Sequence, residues 1–138
     1  MSKETVLVPV DVSSDHDRSR MFDEVAEHAG RGAQVVLMTV VPEIYLATTV
    51  DAKGMIKAMM DHAAIRLGDV ATAAPFEVAD QIVRYGPVAP GIIDVAAETG
   101  ATLIVINARS RDRTAYLLGS VASRVANHAR CSVHVVRA

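Results

Sequence analysis

A chain of 138 residues is long enough to bury the core of one domain and short for two. Its residues are 51% hydrophobic and 22% charged, a balance that excludes an intrinsically disordered protein. Its 14 basic and 16 acidic residues give a net charge of −2, which offers no reason to expect nucleic acid as a partner. No apolar run approaches the roughly 20 residues of a membrane-spanning helix, and the first is too short for a signal peptide. We therefore expect one cytoplasmic domain over residues 1–138, without nucleic acid or membrane as a partner.

Five short runs rich in Val, Ile and Leu alternate with four longer segments of helical periodicity. The short runs predict strands covered on both faces, and the longer ones predict helices with an apolar face. The predicted strands are Thr5–Val10, Gln34–Val41, Phe76–Tyr85, Thr102–Ile106 and Ser132–Val136. The predicted helices are Asp15–Gly30, Asp51–Ala74, Pro87–Thr99 and Gly119–Arg130. This alternation predicts an α/β fold, an open parallel sheet with right-handed crossovers and helices on both faces.

Two predicted helices carry further signals. Ser14 or Asp15 can cap the first helix, and Gly30 stands where that helix would end. One face of the second helix is predicted to be apolar, and it comprises Met55, Ile56, Met59, Ala63 and Leu67.

Two connections that leave the carboxyl ends of predicted strands are longer than tight turns. Pro42–Val50 follows the second strand, and Asn107–Leu118 follows the fourth. In an open α/β sheet, ligands bind beyond the carboxyl ends of the strands, where the strand order reverses. We therefore expect the functional site at this edge of the sheet.

Asp11 directly follows the first strand, at the same edge. A carboxylate there can accept a hydrogen bond from a ribose hydroxyl or an amine, or help to hold a metal ion. The alternative is a residue that caps a helix or closes a turn. Its position favours the functional role, because a charge at the end of a buried strand is costly unless it has a partner.

The connection after the fourth strand carries alternating arginines and leads into a helix. Arg109, Arg111 and Arg113 offer the bidentate geometry that suits phosphate. Gly119 and Ser120 open the helix, where unpaired backbone N–H groups and the helix dipole favour an anion. The pattern predicts a phosphate site; a solvated charged loop before a capped helix is the alternative.

Several other sites are excluded by missing motifs. There is no GxxxxGK[ST] P-loop and no GxGxxG after the first strand. A phosphoreceiver domain would end its third strand in aspartate, where this chain has Tyr85-Gly86. The five histidines lack the spacing of zinc ligands. Cys131 is expected to be a buried, inert thiol, and His134 a packing or interface residue.

With these residues in place, the chain resembles the universal stress protein family over essentially its full length. The matching segments are Thr5–Asp11, Val35–Val41, Tyr85–Ile93 and Leu118–Arg137. The resemblance implies a Rossmann-like sheet of five parallel strands in the order 3-2-1-4-5. It also implies a homodimer formed through the last strand, Ser132–Val136.

Many family members bind ATP through a loop written G-x2-G-x9-G-[ST], and this chain departs from that motif. Asn107 and Ser110 stand at the first two glycine positions, and eight residues rather than nine separate Ser110 from Gly119. Only Gly119-Ser120 is intact. The run resembles a branch of the family with a shorter, glycine-poor loop, in which nucleotide binding is also found.

The resemblance also implies the residues of a nucleotide site. Those that would line the adenosine are Pro9, Val10, Asp11, Val40 and Gly86. Those that would face the ribose or the phosphates are Asn107, Arg109 and Ser110. Those that would receive the phosphate chain are Gly119, Ser120 and Val121.

The leading hypothesis is a small cytoplasmic stress-response protein that binds ATP, with or without Mg²⁺, as a nucleotide-dependent regulator. One alternative is a dimeric interaction module that has lost nucleotide binding. Slow ATP hydrolysis is a third, ranked below binding because no general base or nucleophile–base pair is evident. No catalytic residue is predicted.

Overall fold

The computed structural model describes residues 3–13, 17–43, 51–108 and 119–137. Within these ranges strands and helices alternate, as the sequence predicts. The strands are β1 (Thr5–Pro9), β2 (Gln34–Val41), β3 (Asp80–Tyr85), β4 (Leu103–Asn107) and β5 (Ser132–Val136). The helices are α1 (Ser19–Gly30), α2 (Ala52–Ala73), α3 (Val88–Thr99) and α4 (Ser120–His128).

The strands form one parallel sheet in the order β3-β2-β1-β4-β5. The predicted fold class and strand order are therefore confirmed. From β1 the chain builds outward to β3 and then crosses back to add β4 and β5 on the other side. The strand order consequently reverses between β1 and β4, which is where open α/β sheets bind ligands.

Helices cover both faces of the sheet, which explains why its central strands are continuously apolar. On one face, Val6 and Val8 of β1 pack with Val25 of α1 and Leu67 of α2. On the other face, Leu7 of β1 packs against α3 and α4. Successive side chains of each strand alternate between these two layers, so position along a strand decides which layer a residue joins.

The start of α1 differs from the prediction. The helix begins at Ser19, and the Asp17 carboxylate accepts hydrogen bonds from the Ser19 N–H at 2.9 Å and the Ser19 hydroxyl at 2.6 Å. The predicted caps, Ser14 and Asp15, lie outside the described residues. The predicted end of the helix at Gly30 is confirmed, and the positive φ of 96° falls two residues later, at Gly32.

The predicted apolar face of α2 is buried only in part. Ala63 and Leu67 are buried, whereas Met55 is 44% exposed. The 22 residues of α2 span about 33 Å, whereas the eight residues of β2 span about 27 Å, so the helix is longer than the strands it covers. Within the described part of the chain, no helix is long and apolar enough to cross a membrane.

The third strand is shorter than predicted. It begins at Asp80 rather than Phe76, because the Phe76 ring packs edge-on against Phe22 of α1, with ring centroids 5.2 Å apart. The apolar character of Phe76 therefore reflects a core contact made by the connection between α2 and β3. The predicted end of α3 is confirmed, since Gly100 terminates it in the left-handed conformation at φ 66°.

Candidate functional site

The strand register brings the predicted site residues to one edge of the sheet. Pro9 pairs with Met38, and Val41 pairs with Tyr85. Continuing the register between β1 and β2 by two residues sets Asp11 level with Val40. The Val10 N–H donates to the Met38 carbonyl at 2.8 Å, so the sheet still holds the chain one residue before Asp11.

The β4 side of the edge is placed in the same way. Val6 pairs with Leu103, and continuing this register sets Asn107 level with Val10. On the far side, the Gly86 N–H donates to the Val41 carbonyl at 3.0 Å. The carboxyl ends of four adjacent strands therefore lie at one level, on both sides of the point where the strand order reverses.

The side chains of these residues divide between the two faces. Val10 packs in the α1/α2 layer, and Asn107 lies on the same face of β4 as Leu103 and Val105, which belong to that layer. Val40 and Val121 pack instead against the α3/α4 layer. The predicted residues thus share an edge, but a ligand on one face meets the side chains of only some of them.

Asp11 is exposed and closes a turn. Its Oδ1 atom accepts hydrogen bonds from the backbone N–H of Ser13, at 2.9 Å, and from the Ser13 hydroxyl. Its carbonyl oxygen accepts a hydrogen bond from the Arg18 guanidinium at 2.7 Å. The turn-closing alternative is therefore part of its role.

Glycine is favoured at two positions near the end of β3, one in the connection to α3 and one in α3 itself. Gly86 is buried and has a φ of 132°, a conformation that other residues rarely adopt. A Cβ atom on Gly91 would lie 3.3 Å from Cγ2 of Val40, so the absence of a side chain lets α3 approach β2 closely. Gly91 lies within the segment that matches the family, but its packing role was not predicted, because its partner is 51 residues away.

The start of α4 has the features of an anion site. Gly119 is the N-cap residue in an extended conformation, and its carbonyl accepts from the Ser123 N–H at 2.9 Å. Among the described residues no side chain caps this helix, and its first turn contains no acidic residue. The first backbone N–H groups of a helix lack intrahelical partners. Ser120 is exposed beside them. Arg109 and Ser110 lie outside the described residues.

A cavity of about 420 Å³ lies elsewhere, in the α1/α2 layer. Its lining residues are Val12, Asp17, Arg18, Phe22, Arg66, Asp69, Val70 and Ala73. None of them is a predicted site residue. Residues 44–50 and 109–118, in the two connections at the predicted site, lie outside the described ranges.

Two further reactive side chains, Cys131 and His134, are among the described residues. Cys131 is half-buried, and burial raises the pKa of its thiol above the ordinary value, which favours the unreactive protonated form. His134 is exposed, and its Nδ1 atom lies 3.8 Å from Oε2 of Glu24. No cluster of three or more His, Cys, Asp or Glu that could hold a metal ion occurs in the ranges that the structure describes.

The chain is similar along nearly its whole length to proteins of one family. The sequence model of the universal stress protein family matches residues 3–137. Universal stress protein A homolog 2 of Coxiella burnetii is 27% identical over 139 residues, which cover 96% of this chain and 93% of that protein.

Solved structures agree with this match. Universal stress protein UspA from Lactobacillus plantarum is 31% identical and superposes with a TM-score of 0.71, covering 99% of this chain and 100% of that one. The universal stress protein from Archaeoglobus fulgidus in complex with dAMP is 25% identical, with a TM-score of 0.60 and 98% of each chain covered.

Proposed function

The chain belongs to the universal stress protein family, and from that premise we propose that it is a cytoplasmic, ATP-binding regulator. We propose further that residues 1–138 form one domain and that the nucleotide lies across the carboxyl ends of β1 and β4. The observation that carries the proposal is the position of the open α4 start at the same sheet edge as Asp11.

The adenosine end of the site would lie along β1, β2 and the β3–α3 connection. Pro9, Val40 and Gly86 would provide its apolar surroundings, and the backbone of Val10 would border it. The Asp11 carboxylate would accept a hydrogen bond from the ribose or the base. The structure of the Archaeoglobus fulgidus relative with dAMP supports an adenine nucleotide as the ligand class.

The phosphate end would lie at the start of α4. The backbone N–H groups of its first turn and the Ser120 hydroxyl are donors for phosphate oxygens. Val121 packs on the α3/α4 layer and so anchors this turn. Arg109 and Ser110 would add donors from the preceding connection, and the arginine can replace the backbone contacts that glycines provide in the family motif. Asn107 would border the ligand through its backbone, because its side chain lies on the α1/α2 face.

The second candidate function is an interaction module without nucleotide, and one observation favours it. The first two glycine positions of the family loop hold Asn107 and Ser110. Both candidates share the proposed homodimer through β5. Slow hydrolysis stands below both, because the predicted site contains no general base beside the phosphate end.

The test has two parts. Purified protein is denatured, and any released nucleotide is identified by chromatography. Binding of ATP and of adenosine is then measured by calorimetry, because a weakly held nucleotide is lost during purification. We expect the parent protein to bind ATP more tightly than adenosine.

Gly119→Val separates the two candidates further. A side chain at the helix start would obstruct a phosphate there, so the variant should lose the preference for ATP over adenosine at any salt concentration. Gly30→Val is the matched control, because a Cβ atom there meets nothing within 4 Å. If the parent binds neither ligand at millimolar concentration, the interaction-module function is supported. If Gly119→Val binds ATP as the parent does, the phosphate end has been placed wrongly.

A further inference from the structure

We infer that Arg18 is a positioning residue for nucleoside recognition, because it fixes the backbone that carries Asp11. Its Nη2 atom donates a hydrogen bond to the Asp11 carbonyl oxygen at 2.7 Å, across seven residues of sequence. Neither the motifs nor the family resemblance assigns a function to this arginine. The inference rests on the proposed function, since it concerns how the proposed site holds the nucleoside.

Arg18 contacts Asp11 just beyond the last residue that the sheet holds. The ladder reaches Val10, whose N–H is bonded to the Met38 carbonyl, and the chain then turns away. The bonds from Ser13 to the Asp11 carboxylate close the turn locally. The Arg18 bond reaches further along the chain. It joins the turn to the start of α1.

The start of α1, from which Arg18 makes this contact, is held in place by buried side chains and hydrogen bonds. Arg18 directly precedes the helix, whose first turns bury Met21 and Phe22 in the core. Asp17 accepts hydrogen bonds from the backbone N–H and the hydroxyl of Ser19, which defines where the helix begins. Arg18 is itself half-buried and lines the same cavity wall as Phe22 and Val12.

Arginine suits this role for a chemical reason. A guanidinium is planar, always charged and carries five N–H donors in a fixed geometry, so a bond to a carbonyl constrains direction as well as distance. Hydrogen bonds from an ionised donor are also stronger than those between neutral groups. Arg18 therefore restricts the backbone of Asp11 and, through it, the direction of the carboxylate.

Arg18 could position Asp11 for the nucleoside or only support the fold. A double-mutant cycle distinguishes these two roles. Binding of adenosine and of ATP is measured by calorimetry for the parent, Arg18→Gln, Asp11→Ala and the double variant. We expect Arg18→Gln to lower the affinities for adenosine and for ATP by the same factor, about five- to thirtyfold. The effect should be equal because the contact concerns the nucleoside, which the two ligands share.

In the Asp11→Ala background we expect Arg18→Gln to have no further effect, because no carboxylate remains to be positioned. Arg20→Gln is the matched control, since Arg20 is an exposed arginine two residues further along, in the first turn of α1. It removes the same charge and should leave both affinities unchanged. Thermal unfolding of every variant shows whether the fold is retained.

The contrary results are distinct. Equal losses from Arg18→Gln with and without Asp11 would overturn the inference, because Arg18 would then act independently. If Arg18→Gln binds both ligands as the parent does, Arg18 supports only the fold and the inference is wrong. The proposed nucleotide site would be unaffected by that result. A parent protein that binds neither ligand would overturn the proposed function and this inference together.

Discussion

At the residue scale, Asp11 combines a turn-closing role with a position at the proposed site. Its carboxylate bonds to Ser13, so replacing it changes the turn as well as any ligand contact. These two effects appear in different measurements. Loss of the turn lowers the free energy of unfolding, whereas loss of a ligand contact lowers the affinity for the nucleotide.

Asp11→Ala is expected to weaken ATP binding by about 1.5–3 kcal/mol, the range for hydrogen bonds to a charged group. ATP, ADP and AMP should lose the same amount, because the proposed contact is with the nucleoside. Calorimetry with the three nucleotides checks this. Ser13→Ala is the control, since it removes the hydroxyl from the turn and keeps the carboxylate. An unchanged affinity in Asp11→Ala would leave Asp11 as a turn residue alone.

Asp17 predicts a pH dependence of stability. The hydrogen bond from the Ser19 hydroxyl, followed by that from the Ser19 N–H, lowers the pKa of the Asp17 carboxyl from its ordinary value of 3.8. Because the pKa in the folded protein is below that in the unfolded chain, the stabilisation is fully present above the unfolded value. It is lost as the pH falls through the lower, folded value.

Unfolding in urea at a series of pH values from about 5 to 2 tests this. The parent should lose more stability across that range than Asp17→Asn, which cannot titrate. Asp23→Asn, at an exposed position of the same helix, is the control and should follow the parent. Parallel curves for the parent and Asp17→Asn would contradict the assignment.

At the element scale, α2 is attached to the sheet by few residues for its length. Leu67 is fully buried in the α1/α2 layer, whereas Ile65, two positions earlier, is 66% exposed. Apolar side chains are therefore present on more than one side of this helix. Only the packing partners distinguish a core residue from a surface residue.

Leu67→Ala is expected to lower the free energy of unfolding by about 2–5 kcal/mol, because it removes buried methyl groups and leaves a cavity. Ile65→Ala should change it by no more than about 0.5 kcal/mol, since the side chain already meets solvent. Urea unfolding of both variants makes the comparison. A large loss from Ile65→Ala would mean that a second copy or another part of the chain covers this side of α2.

At the scale of the whole molecule, the two edges of the sheet differ in charge. The β3 edge carries Asp80 and Arg84, and the Arg84 guanidinium pairs with Glu98 of α3. The β5 edge carries no Lys, Arg, Asp or Glu within Ser132–Val136. Charges discourage pairing between edge strands, so we expect β5 rather than β3 to pair with a second copy.

The ladder identifies the β5 groups available for that association. The Val136 carbonyl accepts from the Ala108 N–H at 2.8 Å, so Val136 bonds toward β4. In a parallel ladder the bonding side alternates along the strand, which directs the backbone N–H groups of Val133 and Val135 outward. These groups are the donors that an antiparallel, two-fold related β5 would use.

Val133→Pro should therefore prevent dimerisation and keep the fold, because proline removes an outward N–H and no bond to β4. Val133→Ala is the matched control. It shortens the same side chain but keeps the donor, so it should remain dimeric. Light scattering at tens of micromolar measures both. A monomeric parent at that concentration, or a dimeric Val133→Pro, would contradict the proposed interface.

Local patterns in the sequence were sufficient for the alternation of elements and for several of their bounds. Gln34–Val41 and Ser132–Val136 are strands as predicted, because a short run rich in β-branched residues is visible without knowledge of its neighbours. The strand order came from the family resemblance, since periodicity does not contain it. Asp11, Gly119 and Ser120 were placed at the sheet edge for the same local reason: each stands where an element begins or ends.

Only the tertiary structure decided what each of these residues touches. Phe76 has the character of a strand residue but packs outside the strand, against Phe22. Gly91 lies close to the Val40 side chain, and Arg18 donates a hydrogen bond to the Asp11 carbonyl oxygen. Burial and hydrogen-bond partners depend on groups that are distant in sequence and adjacent in space. A local period cannot encode them, because the same apolar or charged side chain suits either environment until the fold brings its partner into contact.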